Sequence, residues 1–227
     1  MKKALITGAS RGIGRAIAED LGKDHHIYAG ASKDASDIVS SLPSAEPFEA
    51  DLTDTDAVLE AASNIEELDV LVLAAGVMDG GPLEELTDDT WREMMEVNLF
   101  APVTLTRALL PALRRSSGLI ITINSGAGFH GMAENSAYCA SKFALRGFTE
   151  SLAQEEAGKV RVDLPAPGPH RHRHARRRQR QTEDGGRRGC QGGPPRRGCR
   201  PGRSGGVPPG ASGVDVVKPL VLLGRLR

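Results

Sequence analysis

At 227 residues, 39% of them hydrophobic, the chain is long enough for one folded core, and three cysteines are too few for a disulfide-stapled secreted scaffold. No apolar run reaches membrane length and no leader peptide is visible, which argues against a spanning protein and for the cytoplasm. The formal net charge of zero hides a division: residues 1–162 carry 14 Lys and Arg against 25 Asp and Glu, and residues 163–227 carry 15 against 4.

Lys3 to Thr7 reads as a short apolar strand running into TGASRGIG, Thr7 to Gly14, and then into a helical pattern through about Leu21. A strand, a turn without side chains in the way and a helix N-terminus with free amides make a cradle for a pyrophosphate. The glycines at 8, 12 and 14 are spaced more widely at the start than G-x-G-x-x-G, so the turn alone is a weak signal. A second strand, His26 to Gly30, is followed by Ala31, Ser32 and Lys33, with no acid before Asp34. An acid at that strand end would bind the ribose 2′-OH of NAD, and a base would favour the 2′-phosphate of NADP. Lys33 reads equally well as a solvated loop charge, so Arg11, inside the turn, is the stronger candidate. NADP is favoured, with NAD possible.

Glu46 to Ala50 reads as a third strand ending at Asp51-Leu52, where Asp51 could also cap the helix announced by the apolar periodicity after Asp54. The run from Asp69 to Ala74 suits a central parallel strand buried on both faces, and it ends in Ala74-Ala75-Gly76. Thr87 to Arg115 shows helical periods, with Trp91, Met94 and Met95 on apolar faces as packing residues. Asn98 sits in the middle of that pattern, where asparagine is a poor choice, and this points to a function.

Gly118 to Ile123 is a fifth strand, beyond which Ser125 is offered just before a glycine. Gly126 to Glu134, with Phe129, His130 and Met132, is a loop expected to line a substrate mouth. Its apolar content suggests a carbonyl compound with an apolar part. His130 reads as a solvent-facing loop residue, and Cys139 as packing. In SAYCASKF, Ser136 to Phe143, Tyr138 and Lys142 stand one turn apart on one helix face. A phenol's ordinary pKa of about 10 falls when a cation sits close, and such a pair suits proton exchange in an alcohol–carbonyl interconversion. Any long helix can carry that spacing; the glycine turn and Ser125 upstream make the combination specific.

With these motifs, residues 2–162 resemble the short-chain dehydrogenase/reductase family: TGASRGIG, Asp51-Leu52, Ala74-Ala75-Gly76, Asn98, Ser125 and Tyr138-x-x-x-Lys142. The resemblance implies an α/β fold, a doubly wound parallel Rossmann-like sheet with helices on both faces. It also implies hydride transfer between NADP(H) and a small alcohol or carbonyl compound. Tyr138 would be the general acid/base, Ser125 would hydrogen-bond the substrate carbonyl, Lys142 would hold the nicotinamide ribose, and Asn98 would support a relay water. Cofactor contacts would come from Gly8, Ser10, Arg11, Gly12, Ile13, Gly14, Ser32, Asp51, Leu52, Ala74, Ala75, Gly76, Tyr138 and Lys142. Intact members of the family form homo-oligomers. Leu73 and Ala74 stand where the family usually has two asparagines, which should remove polar support from the central strand.

Val160-Arg161-Val162 begins a sixth strand, and there the family pattern stops. Residues 163–227 hold no Phe, Trp or Tyr and are about one third Gly and Pro. Such a composition cannot bury enough apolar surface to offset chain entropy, so the segment is expected to lack a stable fold and to leave a sheet edge unpaired. One reading is a basic tail for nucleic acid or another acidic partner. The other, favoured here, is a shifted reading frame in a GC-rich gene. Dropping one base from one allowed codon choice for Asp163 to Ala175, DLPAPGPHRHRHA, yields TSLHPGRTDTDM. That is similar to the Pro-Gly turn and Thr-rich cofactor loop which the family places after its sixth strand. On this reading nucleic acid is not an expected partner, and His170, His172, His174, Cys190 and Cys199 form no metal site. A nucleotide-binding remnant without turnover is the alternative to an active enzyme.

Overall fold

The structure, a computed structural model, describes residues 1–32 and 34–165. The expectations for Lys33 and for the segment from 166 onward lie outside the described residues.

Six strands form one parallel sheet: β1 Lys2–Ile6, β2 His25–Ala31, β3 Ala45–Glu49, β4 Val70–Leu73, β5 Leu119–Thr122 and β6 Arg161–Asp163. Their spatial order is β3-β2-β1-β4-β5-β6. Register is regular: Leu5 lies beside Tyr28 and Leu71, and Ile120 beside Leu71 and Val162. The order runs outward in both directions from β1 and β4, so the strand order reverses there and a crevice opens at the carboxyl ends of these two strands.

The strands alternate their side chains between two apolar layers. One layer joins Ile6, Ile27, Val72 and Ile121 to Ile17, Leu21 and Ile38 from helices α1 (Gly12–Leu21) and α2 (Ser36–Ser41). The other joins Leu5, Phe48, Leu71 and Ile120 to Val58 of α3 (Thr55–Ser63), to Leu105, Leu109 and Leu113 of α5 (Ala101–Ser116), and to Leu152 of α6 (Ser136–Glu155). Burial on both faces explains why these strands read as apolar runs rather than alternating patterns. Helix α2 has no counterpart in the sequence reading, because six residues are too few for a helical period to show.

Local chemistry sets the helix ends. The cap of α3 is Asp54, whose carboxylate accepts from the Asp56 and Ala57 amides at 3.0 and 3.1 Å. Asp51, the alternative cap in the sequence, instead accepts from the Thr53 amide and hydroxyl at 2.9 and 2.7 Å, and these bonds lower its pKa. The helical pattern from Thr87 to Arg115 is not one helix. Helix α4, Asp88–Met95, passes into a π-helical turn, Glu96–Phe100, before α5 begins. Met94 is buried as expected, while Trp91 and Met95 are half-buried.

At the ends of α5 and α6, Arg114 grips Glu156 through Nε to Oε2 at 2.8 Å and Nη2 to Oε1 at 2.5 Å. The Glu156 side chain is 4% exposed and that of Arg114 44%, so the carboxylate is covered while its partner still meets water. The Arg114 hydrogen bonds hold the Glu156 pKa below its ordinary value. The stability this contributes is therefore present above the ordinary glutamate pKa and is lost as pH falls through the lowered one. Arg114→Leu should lower stability at pH 7, by less than breaking a fully buried pair would, because Arg114 is partly solvated. Urea unfolding at pH 7 checks this, and equal midpoints would refute it.

Candidate functional site

The glycine turn lies at the carboxyl end of β1, at the crevice. Gly8 has φ +68°, and a Cβ there would stand 3.0 Å from Ala75 Cα, so both backbone conformation and close approach require glycine. A Cβ on Gly14 would fall 2.3 Å from the Gly8 carbonyl oxygen, which is how α1 packs directly on its own turn. Gly12, with φ +59°, has no atom within 4 Å of where a Cβ would be, so this side of the cradle is open. The N-cap position of α1 is Arg11, in extended conformation and making no side-chain cap. The first-turn amides of α1 are thus left without a side-chain acceptor, facing an open cradle that suits an anion. Ile13 turns its side chain onto the first apolar layer, which leaves its backbone for the site.

Charges around the cradle differ in availability. Arg15 is engaged with Glu19 and Asp37, each at 2.9 Å. Asp34 accepts from the Ser36 amide at 2.8 Å, an interaction that lowers its pKa. Arg11 is exposed and has no ion pair among the described residues. Ser10 and Ser32 are also exposed.

Across the switch point, Thr7 ties the two central strands together. Its hydroxyl accepts from the amides of both Ala74 and Ala75 at 3.0 Å. These bonds satisfy two backbone amides beyond the end of β4 from the end of β1. Asp51 is exposed at the end of β3, and Leu52 packs against the second apolar layer.

Ser125 lies beyond β5, and Tyr138 and Lys142 lie on the first turns of α6. Ser125 begins a 3-10 turn, Gly126–Gly128, and its Oγ accepts from the Ala127 amide at 3.2 Å, which leaves the hydroxyl hydrogen to donate. The Tyr138 ring is half-buried, and its hydroxyl makes no hydrogen bond with the described residues. Lys142 is 5% exposed, its Nζ lies 5.9 Å from the Tyr138 ring centre, and no carboxylate among the described residues pairs with it. Burial alone pushes its pKa down to about 8. A Cβ at Gly76 would meet Asn98 Oδ1 at 3.0 Å and Lys142 Nζ at 3.4 Å, so this glycine leaves room for the lysine.

Asn98 is completely buried in the π-helical turn. Its Oδ1 accepts from the Val77 amide, and its Nδ2 donates to the Val77 carbonyl, both at 2.9 Å, and to Ser141 Oγ at 3.0 Å. Ser141 Oγ in turn donates to the Tyr138 carbonyl at 2.8 Å. The Asn98 side-chain amide is spent on bracing the strand end against α6.

Sequence reasoning missed Ser141 and Asn124. Asn124 Oδ1 accepts from the Ser125 amide at 2.8 Å, and its Nδ2 donates to the Lys142 carbonyl at 3.2 Å. Neither residue lies on a periodic face that would single it out. In the loop beyond, the Arg146 guanidinium stacks 4.6 Å over the Phe129 ring, Met132 is exposed, and Cys139 is buried with its Sγ 3.9 Å from the His130 carbonyl oxygen. Among the described residues no helix is long and apolar enough to cross a membrane.

The chain is similar to known proteins. The chain is 38% identical over 165 residues to nodulation protein G of Rhizobium sp. (strain N33), covering 69% of this chain and 67% of the relative. It is 36% identical over 169 residues to a 3-oxoacyl-(acyl-carrier-protein) reductase of Salmonella typhimurium, covering 70% and 68%. A metagenomic short-chain oxidoreductase solved in complex with NADP superposes with a TM-score of 0.69 at 39% identity, over 74% of this chain and 82% of that one. The chain spans about two thirds of the length of the two curated relatives. The family model described as short chain dehydrogenase matches residues 2–183, which reaches past residue 162, where the motifs end. From the glycine cradle to the turn that carries Tyr138 and Lys142, the chain belongs to the short-chain dehydrogenase family.

Proposed function

We propose that this chain is an oxidoreductase that transfers a hydride between NADP(H) and a small alcohol or carbonyl compound, with Tyr138 as general acid/base. The observation that carries the reading is Lys142: a buried ammonium with no carboxylate partner among the described residues, its Nζ 5.9 Å from the Tyr138 ring centre and beside Gly76. A buried charge of this kind costs stability unless a ligand supplies its hydrogen-bond partners. Hydroxyls of a nicotinamide ribose supply them at that point. The amides of α1 and the open side of Gly12 fit a pyrophosphate, and Asp51 and Leu52 flank the adenine end.

The bound cofactor supplies the hydride; the protein's own residues handle the oxygen. Ser125 donates its hydroxyl hydrogen to the substrate carbonyl oxygen, and Tyr138 delivers the proton that turns that oxygen into an alcohol. In the reverse direction Tyr138 removes the proton as the hydride leaves the carbon. Asn98 keeps Val77 and Ser141 in place and would support the relay water. Phe129 and Met132 favour a substrate with an apolar portion.

NADP is preferred over NAD because Asp34 is engaged with Ser36 and Asp37 with Arg15, while Arg11 stands exposed beside the cradle. NADPH should bind about tenfold or more tightly than NADH, and Arg11→Ala should erase most of that difference, as expected for one charge-assisted contact. Titrating both nucleotides by fluorescence against wild type and variant checks this; equal affinities in the wild type would overturn it.

A second reading, a nucleotide-binding chain without turnover, is favoured by the break in composition at residue 163. Nucleotide binding with reduction of a model ketone supports the enzyme, and binding without reduction supports the remnant. The break itself is read as a shifted frame, and resequencing the gene across codons 155–180 decides it. An unbroken frame identical to the present one would remove that reading.

A further inference from the structure

We propose that Asn124 is a positioning residue that sets how far the Ser125 strand end stands from the α6 turn carrying Tyr138 and Lys142. Its single amide group spans the gap, accepting from the Ser125 backbone N–H at 2.8 Å and donating to the Lys142 carbonyl at 3.2 Å. It is also wedged from the side. A Cβ on Gly128 would stand 2.6 Å from Asn124 Oδ1, so the 3-10 turn after Ser125 closes directly on this amide. Ser125 Oγ accepts from the Ala127 amide of the same turn. The direction of the serine hydroxyl and the position of the Asn124 strut are therefore fixed by one small unit.

No other side chain of the described residues hydrogen-bonds both to the Ser125 backbone and to α6. Asn98 and Ser141 brace α6 against the end of β4, a different strand. Two struts thus hold the Tyr138–Lys142 turn, one from each neighbouring strand end, and Asn124 is the one that references it to Ser125. Proton delivery and carbonyl binding must meet on one oxygen atom, and misplacement by about 1 Å can cost about a hundredfold in rate.

The test uses the full chain with two substitutions. Asn124→Leu removes both bonds at similar volume. Asn124→Asp keeps the acceptor for Ser125 but can donate to the Lys142 carbonyl only when its carboxyl is protonated. Crystal structures of wild type and the Leu variant should differ by about 0.5 Å or more in the Ser125–Lys142 Cα separation. A smaller change would overturn the proposal. Turnover, which rests on the function proposed above, should fall about tenfold or more in kcat in the Leu variant, with NADPH affinity within about threefold.

In the Asp variant the carboxyl is ionised at pH 7, since an ordinary Asp titrates at about 4, and cannot donate to the Lys142 carbonyl. The Ser125–Lys142 Cα separation should be displaced by about 0.5 Å or more, with kcat lowered alongside. An undisplaced separation in the Asp variant would count against the strut, and this arm decides the matter if the Leu variant does not fold. An inactive wild type would refute the proposed reaction, and the two Cα separations would still judge Asn124.

Discussion

Tyr138→Phe is expected to cut turnover by about a thousandfold, the scale of a lost general acid, while NADPH affinity changes by less than about twofold. The two effects separate because of where the hydroxyl lies. The ring is half-buried on α6 with its centre 5.9 Å from Lys142 Nζ, and phenylalanine keeps that contact. The hydroxyl makes no hydrogen bond to the described residues, so removing it leaves no protein group unsatisfied. Fold stability should therefore stay within about 0.5 kcal/mol of wild type. If the frame is interrupted at residue 163, turnover is best compared in a chain with the frame restored, while binding is measured in both. More than a few per cent of residual activity would remove Tyr138 from the mechanism.

Lys142→Met should have opposite effects on stability and on ligand binding. Burial has pushed the Lys142 pKa from its ordinary 10.5 down to about 8, so the folded protein holds this proton less tightly than the unfolded chain. Below pH 8 both states are protonated, and folding carries the whole penalty, about 3–4 kcal/mol at roughly 1.4 kcal/mol per pKa unit. Between pH 8 and 10.5 the unfolded chain binds more protons than the folded one, so wild-type stability rises with pH across that window. Methionine fills a similar volume without the charge. The variant should be more stable by about 2–3 kcal/mol at pH 7, and its stability should lack the rise between pH 8 and 10.5. NADPH binding should weaken by about ten- to a hundredfold, because a charge-assisted hydrogen bond is lost. Thermal unfolding from pH 7 to 10.5, paired with nucleotide titration, checks both halves. A variant less stable than wild type at pH 7, or one with the same pH slope, would mean that the lysine is not strained by burial.

This trade of stability for a reactive site shows how far local sequence can be read. The buried strands were legible because a parallel strand covered on both faces must be apolar at consecutive positions, and β1, β2, β4 and β5 lie within two residues of their sequence readings. The glycine turn was legible because a left-handed backbone at Gly8 and Gly12 restricts residue type locally. The one-turn spacing of Tyr138 and Lys142 needs only helical geometry.

What the sequence left undecided depends on residues far apart in the chain. Thr7 accepts from the Ala74 and Ala75 amides, 67 and 68 residues away in sequence. Asn98 reaches Ser141 across 43 residues, and it does so from a π-helical turn that no periodic pattern distinguishes from α-helix. Asn124 meets the Lys142 carbonyl only because the turn after β5 is packed against α6. Apolar periodicity and backbone restriction act within a few residues and are written into composition and spacing. Hydrogen bonds between side chains and distant backbone exist only after the sheet order has brought their partners within about 3 Å.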